Sequence, residues 1–269
     1  MFISLLIVII STVIPILILI KYPICISMPT SRGLHDNPIP TSGGLAILIS
    51  YISITFYAFL THSHSIDLYS PIFPIISASL LGLLDDKYSL SKVIRFIFQI
   101  IISIWIVSMN PEASLYMKIL WAIFIVYFIN IFNFMDGINA LATTQTLYIL
   151  LCITTLDNFY SYNAIILFAL PLIIFLGFNS SPARIFLGNS GSYLLATLIM
   201  ILLYNSNPSV NENLLNHTVI ILIILTVMIC DATYTLISRF ISKYFSDDKS
   251  FIDSVAFITN PHRTHNYQI

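Results

Sequence analysis

Two adjacent carboxylates, Asp85 and Asp86, end an apolar run in the stretch SLLGLLDDKYSL, residues 79–90. The chain has 269 residues and only 12 of them are acidic, so a neighbouring pair is conspicuous. Paired carboxylates can supply the hard oxygen ligands that hold Mg²⁺ against a phosphate. A simpler interpretation is that the two acids cap a loop and pair with Lys87. Acids beside a membrane span are costly unless something neutralises them, which favours the metal interpretation.

A second polar group occupies NIFNFMDGINALA, residues 130–142. Asn130, Asn133 and Asp136 are spaced i, i+3 and i+6, and on a helix this spacing places them along one side. Gly137 then interrupts the helix. The group is either a polar helix end with a glycine cap or a surface that binds a ligand. Three carboxamide or carboxylate groups in one stripe favour the ligand surface.

A stretch suited to anions is FNSSPARIFLGNSGSYLL, residues 178–195, in which Asn189 lies between Gly188 and Ser190. Gly and Ser at the start of a helix offer backbone N–H groups to an anion. The pattern alone is weak, because turn glycines before membrane spans are common.

The stretch NPHRTHNYQ, residues 260–268, contains His262, Arg263 and His265. Zinc is disfavoured, because no third or fourth His or Cys ligand lies near these residues. Arg and His beside a metal-phosphate site instead favour binding of a diphosphate. A solvated basic tail is the alternative.

The Pro- and Gly-rich stretch HDNPIPTSGGLAI, residues 35–47, precedes an apolar run. Its rigid Pro-x-Pro and its paired glycines predict close packing near the site. His35 is most simply a solvated loop residue.

The elements that position these groups are membrane helices. The chain is 58% hydrophobic and 9% charged, whereas soluble domains have about 25% charged residues. This composition predicts an all-α, polytopic integral membrane helical bundle. The net charge of −1 argues against binding to nucleic acid.

A helix crosses the bilayer core with about 20 apolar residues. On that basis we predict nine spans, at residues 3–20, 44–60, 69–84, 93–109, 115–133, 139–156, 163–178, 190–204 and 217–238. The first apolar run has no basic n-region and no cleavage site, so we expect it to be a retained span.

The basic residues assign a side to each connecting segment. Of the 11 Lys and Arg residues, all but Lys118 fall in or beside the segments on one side. The positive-inside rule makes that side cytoplasmic and places the N-terminus outside. Every polar stretch described above falls on the cytoplasmic side, which predicts one site there, formed by several loops.

These motifs, in this order, resemble those of the polyprenyl-phosphate N-acetylhexosamine-1-phosphate transferases, glycosyltransferase family 4. The stretch DATYTLISRF, residues 231–240, followed by PHRTHNYQ, looks most like the bacterial O-antigen branch that uses UDP-deoxyaminosugars. The resemblance implies a single transferase domain over residues 1–269. The family has about ten or eleven helices, so the chain would be shortened at its C-terminal end.

The resemblance implies a multi-pass enzyme of the bacterial inner membrane with its active site facing the cytoplasm. It would transfer N-acetylhexosamine 1-phosphate from a UDP-sugar to undecaprenyl phosphate, release UMP and start O-antigen or other cell-envelope polysaccharide synthesis. The implied cofactor is Mg²⁺, with Mn²⁺ as a substitute. The implied partners are undecaprenyl phosphate, the UDP-sugar and the lipid bilayer, and the pattern is compatible with a homo-oligomer.

The family's functional residues carry over by motif. Those implied in catalysis are Asp85, Asp86 and Asp136. Those implied in substrate binding are Asn133, Asn179, His262, Arg263 and His265. The implied metal ligands are Asp136 and Asn189.

The chain departs from the family pattern at several positions. Asn189 stands where the family has the Asp that binds Mg²⁺, and it can coordinate only through its carbonyl oxygen. Asn139-Ala140 replaces Asp-Gly, and Thr41 replaces Arg. One alternative is therefore a catalytically impaired or truncated homologue that binds nucleotide-sugar or lipid phosphate without turnover. A transporter is the other alternative, and it is disfavoured because few ionisable groups lie at mid-span.

Overall fold

The computed structural model describes residues 2–29, 37–61, 71–156, 162–205 and 214–246. In these ranges the chain forms nine α-helices and one short antiparallel ladder. The helices are α1 (Phe2–Lys21), α2 (Gly43–Leu60), α3 (Ile72–Tyr88), α4 (Lys92–Ser108), α5 (Leu115–Met135), α6 (Leu141–Leu156), α7 (Tyr162–Asn179), α8 (Gly188–Asn205) and α9 (Leu214–Ser246). The ladder pairs β1 (Ile26–Ser27) with β2 (Ile39–Pro40). The predicted all-α bundle of nine apolar helices is confirmed.

Helix lengths fit a membrane protein. Among the described residues, α1, α2 and α5 are each long and apolar enough to cross a bilayer. The 21 residues of α5 span about 31 Å at 1.5 Å per residue, which matches a hydrocarbon core of about 30 Å. Shorter apolar helical segments cover residues 141–154, 165–179 and 221–235.

Predicted boundaries differ from the observed ones by several residues, and the largest difference is at the end of the last span. We expected the last span to end at residue 238 and a loop to begin at residue 239, but α9 continues to Ser246. The added segment, RFISKYFS, contains no Gly or Pro, the residues that most often end helices. The segment that contains Arg239 and Lys243 is therefore part of α9 and not the start of a loop.

The turn between α3 and α4 is set by local backbone signals. Ser89 has φ 49°, in the left-handed region, and its N–H donates to the Asp85 carbonyl at 2.8 Å. Ser91 then caps α4, because its Oγ accepts from the Ile94 N–H at 3.3 Å. The short turn brings the first turn of α4 beside the acid pair.

Helix α8 is the centre of the bundle. Every residue of α8 from 190 to 204 is buried, and α2, α3, α5 and α6 pack against this helix. Two glycines permit the close approach. A Cβ on Gly82 of α3 would overlap the Asn189 backbone, and one on Gly44 of α2 would overlap the Gly191 backbone.

A set of backbone hydrogen bonds joins residues 40–44 to residues 186–187, and we name it the main-chain clamp. The Phe186 N–H donates to Pro40 O at 2.7 Å, while the Gly43 and Gly44 N–H groups donate to Phe186 O and Leu187 O at 3.0 and 2.9 Å. The predicted close packing of the Pro- and Gly-rich stretch is thereby confirmed for its described residues.

Candidate functional site

Asp86 lies in the last turn of α3 and caps the start of α8. Its Oδ1 accepts from the Asn189 backbone N–H at 3.2 Å, and its Oδ2 accepts from the Ser190 N–H at 3.3 Å. The anion that we expected at this Gly- and Ser-rich helix start is thus a carboxylate of the chain itself. Gly188, with φ 72°, allows the turn that aims these N–H groups at Asp86.

The surroundings of Asp86 disfavour its ionised form. Burial raises the pKa of Asp86 from 3.8 to about 6, since desolvation outweighs the two backbone hydrogen bonds that lower it. The charge of Asp85 raises it further. A cation bound beside Asp86 would offset this cost and stabilise the ionised carboxylate.

Asp85 is 6% exposed and is held by other side chains. Its Oδ2 atom accepts from Arg95 Nη1 at 3.1 Å, from Asn189 Nδ2 at 2.9 Å and from the Tyr193 hydroxyl at 3.4 Å. The alternative pairing of the acids with Lys87 is not observed for Asp85, whose ion-pair partner is Arg95. We did not assign Arg95 or Tyr193 from the sequence, although a basic residue in the first turn of an apolar helix is a usable signal.

Asp136 follows the last residue of α5. It is partly exposed, but desolvation by the surrounding protein raises its pKa well above 3.8, and the charge of Asp86 adds to the effect. The Ser192 hydroxyl donates to Asn133 Oδ1 at 2.6 Å, which ties the end of α5 to the first turn of α8. The site thus combines the ends of α3 and α5 with the start of α8.

Asn130 departs from the predicted stripe. Its Nδ2 donates to Gln99 Oε1 at 2.7 Å, so it contacts α4, whereas Asn133 contacts α8. Positions i, i+3 and i+6 drift around a helix of 3.6 residues per turn, which explains the split. Asp136 lies beyond the end of α5, and the stripe therefore does not form one surface.

Asn179 is buried and binds two backbone segments. Its Oδ1 accepts from the Ala140 N–H at 2.8 Å, and its Nδ2 donates to Ile185 O at 2.9 Å. The amide therefore joins the turn after α5 to the segment before α8. Contact of Asn179 with a substrate stays a prediction, and the observed geometry gives this residue a positioning role.

Ala140→Gly is expected to stabilise the protein. Ala140 has φ 68°, a left-handed conformation that costs an L-residue about 1–2 kcal/mol. Glycine removes that cost and keeps the N–H that donates to Asn179, although it loses more chain entropy on folding. We expect a net gain of about 1 kcal/mol in the free energy of unfolding in detergent. The same change at Ala142, inside α6 and buried, should destabilise, and equal effects at both positions would contradict the argument.

The donor set fits a divalent cation that also binds substrate. Mg²⁺ is usually held by one or two carboxylates together with substrate phosphates. Asp86 and Asp136 lie within electrostatic range of each other. Among the described residues there is no group of three or more His, Cys, Asp or Glu side chains arranged as a complete metal site. Asn189 can coordinate a cation only through Oδ1, because its Nδ2 is a donor and donates to Asp85.

The basic loop lies outside the described residues. His262, Arg263 and His265 all fall after residue 246, where the described part of the chain ends. Their assignment to a diphosphate stays a prediction.

Comparison with known proteins places the site in a family. A family model described as "Glycosyl transferase family 4" matches residues 68–207. A probable undecaprenyl-phosphate N-acetylglucosaminyl 1-phosphate transferase of Bacillus subtilis is 32% identical over 254 residues, covering 84% of this chain and 68% of the relative. An undecaprenyl-phosphate alpha-N-acetylglucosaminyl 1-phosphate transferase of Thermotoga maritima is 29% identical, covering 64% of this chain and 53% of the relative.

The name of a third relative indicates a different substrate. The phospho-N-acetylmuramoyl-pentapeptide-transferase of Staphylococcus epidermidis is 26% identical over 236 residues, covering 76% of this chain and 73% of the relative. The family match takes up more than half of the chain and contains both acids of α3, Asp136 and the start of α8.

Proposed function

Because the chain belongs to glycosyl transferase family 4, we propose that it transfers a sugar 1-phosphate from a UDP-sugar to a polyprenyl phosphate. An oxygen of the acceptor phosphate attacks the phosphorus that carries the sugar. A phosphoanhydride bond forms, the bond between the two phosphates of the donor breaks, and UMP leaves. The products are a lipid diphosphate sugar and UMP.

The proposed acceptor is undecaprenyl phosphate and the first proposed donor is UDP-N-acetylglucosamine. The names of the Bacillus and Thermotoga relatives support N-acetylglucosamine over the deoxyaminosugar that the C-terminal motif predicts. The proposed role is to start a cell-envelope polysaccharide, O-antigen included. The proposed location is the cytoplasmic side of the bacterial inner membrane, as the distribution of basic residues indicates.

The proposed mechanism assigns roles to side chains at one end of the bundle. Asp86 and Asp136 would hold Mg²⁺, with the Asn189 carbonyl oxygen as a further ligand. The ion, when bound, would neutralise charge on the phosphates. Asn133, oriented by Ser192, would contact the nucleotide. The basic loop that contains Arg263 would hold the donor diphosphate.

The observation that carries the proposal is that the ends of α3 and α5 converge on the start of α8, where Asp86 accepts from the Asn189 and Ser190 N–H groups and Asn133 accepts from the Ser192 hydroxyl. Two anionic substrates can react only where their charges are compensated, and a lipid acceptor keeps its phosphate at the membrane boundary. The two acids proposed to hold Mg²⁺ follow apolar helical runs, the position that such a boundary site requires.

The test is an assay with membranes that contain the full chain, Mg²⁺, undecaprenyl phosphate and a panel of UDP-sugars. We expect lipid-linked product and equimolar UMP with UDP-N-acetylglucosamine. The panel includes UDP-deoxyaminosugars, which decide between the two donor classes. Absence of product with every donor would refute the transferase proposal.

Binding without turnover is the second candidate function. Asn189 and Asn139 favour it, because each supplies an amide where the family pattern has a carboxylate. Saturable binding of a UDP-sugar to the purified protein, with no product in the assay above, would establish this alternative.

A further inference from the structure

One residue contacts both members of the acid pair. The backbone N–H of Asn189 donates to Asp86 Oδ1 at 3.2 Å, and its side-chain Nδ2 donates to Asp85 Oδ2 at 2.9 Å. The two acids are adjacent on a helix and project about 100° apart. Asn189 therefore fixes both carboxylates through two different donors on one rigid turn.

Two more donors complete the environment of Asp85. Arg95 Nη1 and the Tyr193 hydroxyl lie 3.1 and 3.4 Å from the same Oδ2 atom. The donors come from α4 and α8, while Asp85 belongs to α3. Three donors on one oxygen restrict rotation of the carboxylate and leave Oδ1 without any of these bonds. The guanidinium of Arg95 also balances the buried charge.

We propose that Asn189, Arg95 and Tyr193 are positioning residues that fix the Asp85 carboxylate and set its orientation relative to Asp86. Asn189 acts in this role as a hydrogen-bond donor. Catalysis by the acid pair rests on the proposed transferase function, whereas the pairing of Asn189 with Asp85 can be measured without turnover.

The donor role has a direct consequence for substitution. The family pattern has Asp at this position, as a ligand of the cation. In the geometry of this chain, a carboxylate at position 189 cannot donate to Asp85 and would place its charge close to that of Asp85. If Asn189 acted only as a cation ligand, the added negative charge of Asn189→Asp would instead strengthen that site. The two roles therefore predict opposite effects of one substitution.

The first experiment measures Asn189→Asp in the full chain. We expect kcat to fall about 100-fold, because misplacement of a reacting group by about 1 Å costs that much. We expect KM for the UDP-sugar to change less than kcat, because an oxygen ligand stays available at position 189 while the donor to Asp85 is lost. An unchanged or raised kcat would overturn the proposal.

The second experiment exchanges the residue types at positions 85 and 189 and measures the melting temperature instead of turnover. Asp85→Asn and Asn189→Asp should each lower the melting temperature of the purified protein. In the double variant the amide donor is at position 85 and the carboxylate acceptor is at position 189, so the hydrogen bond can form again. Its melting temperature should therefore exceed that of either single variant. Additive losses would overturn the pairing. If the wild type makes no lipid-linked product but the double variant regains the melting temperature lost in the single variants, the transferase proposal fails and the pairing of Asn189 with Asp85 stands.

The third experiment separates positioning from simple packing. Tyr193→Phe and Tyr204→Phe each remove a buried hydroxyl from α8, but the Tyr204 hydroxyl donates to the Val107 carbonyl near the far end of the helix. Both should lower the melting temperature similarly, and only Tyr193→Phe should lower kcat, by about tenfold. Equal kcat values for the two variants would overturn the role of Tyr193.

Arg95 is tested by a conservative rescue. Arg95→Gln removes the charge that balances Asp85, whereas Arg95→Lys keeps the charge and one donor. We expect Arg95→Lys to retain at least about ten times the kcat of Arg95→Gln at similar KM. Equal kcat values for these variants would exclude charge compensation by Arg95.

Discussion

Asp86→Asn is expected to lower kcat by about 100- to 1,000-fold, as is typical when an active site loses one preorganised electrostatic group. The amide oxygen of Asn can still accept from one of the two N–H groups at the start of α8, whereas its Nδ2 cannot accept from the other. We therefore expect the fold to persist with a loss of about 1 kcal/mol in stability while the negative charge disappears. The measurements are the rate of lipid-linked product formation and the melting temperature of the purified variant.

The matched control for Asp86→Asn is Glu112→Gln. Glu112 is exposed in the turn between α4 and α5, at the opposite end of α4 from the acid pair, and this substitution changes the net charge by the same amount. We expect its kcat to stay within about twofold of the wild type, as for most surface substitutions. Activity of Asp86→Asn within about threefold of the wild type would contradict the role of Asp86 as a charged group in the reaction.

Gly82→Ala is expected to have the largest effect on stability. A Cβ at this position would overlap the backbone of Asn189 and Ser190, and backbone cannot move aside as a flexible side chain can. Overpacking typically costs about 1–3 kcal/mol, and we expect the upper end of that range or more. The measurement is the free energy of unfolding in detergent, together with the amount of folded protein in membranes.

Gly177→Ala supplies the control for a glycine inside a helix. Among the described residues, a Cβ at Gly177 of α7 would meet no atom within 4 Å outside the adjoining backbone of its own helix. The substitution should therefore stabilise by about 0.5–1 kcal/mol through helix propensity alone. If both glycine variants were equally stable, α3 and α8 would not be in the close contact described above.

The sequence was sufficient to predict the helices and the end of the bundle that carries the site. Apolar runs of membrane length are strong signals, so the nine helices of the described ranges were located although α9 ends later than expected. The acid pair and the Asn-rich stretch were recognisable because polar residues are rare in this chain. Their positions near helix ends followed from the span boundaries.

The partners of each acid could not be predicted. The distance between Asp85 and Asn189 is 104 residues along the chain, and no local pattern determines which carboxylate meets which amide. Asn179 was assigned from its motif as a substrate ligand, yet both ends of its buried amide bind backbone. Such contacts depend on helix rotation and crossing, which the spacing of apolar residues does not fix.

The main-chain clamp has a consequence for how this region can diverge. Its three hydrogen bonds use only backbone N–H and carbonyl groups, so they do not depend on the side chains at residues 186 and 187. The hydrogen bonds that set the register between α2 and α8 therefore tolerate side-chain substitution at these two positions, although the buried Leu187 side chain also packs against Gly191. Proline is the exception at positions 43, 44 and 186, because it would delete a donor. A sequence library at position 186 should therefore show depletion of proline before any preference for a particular side chain.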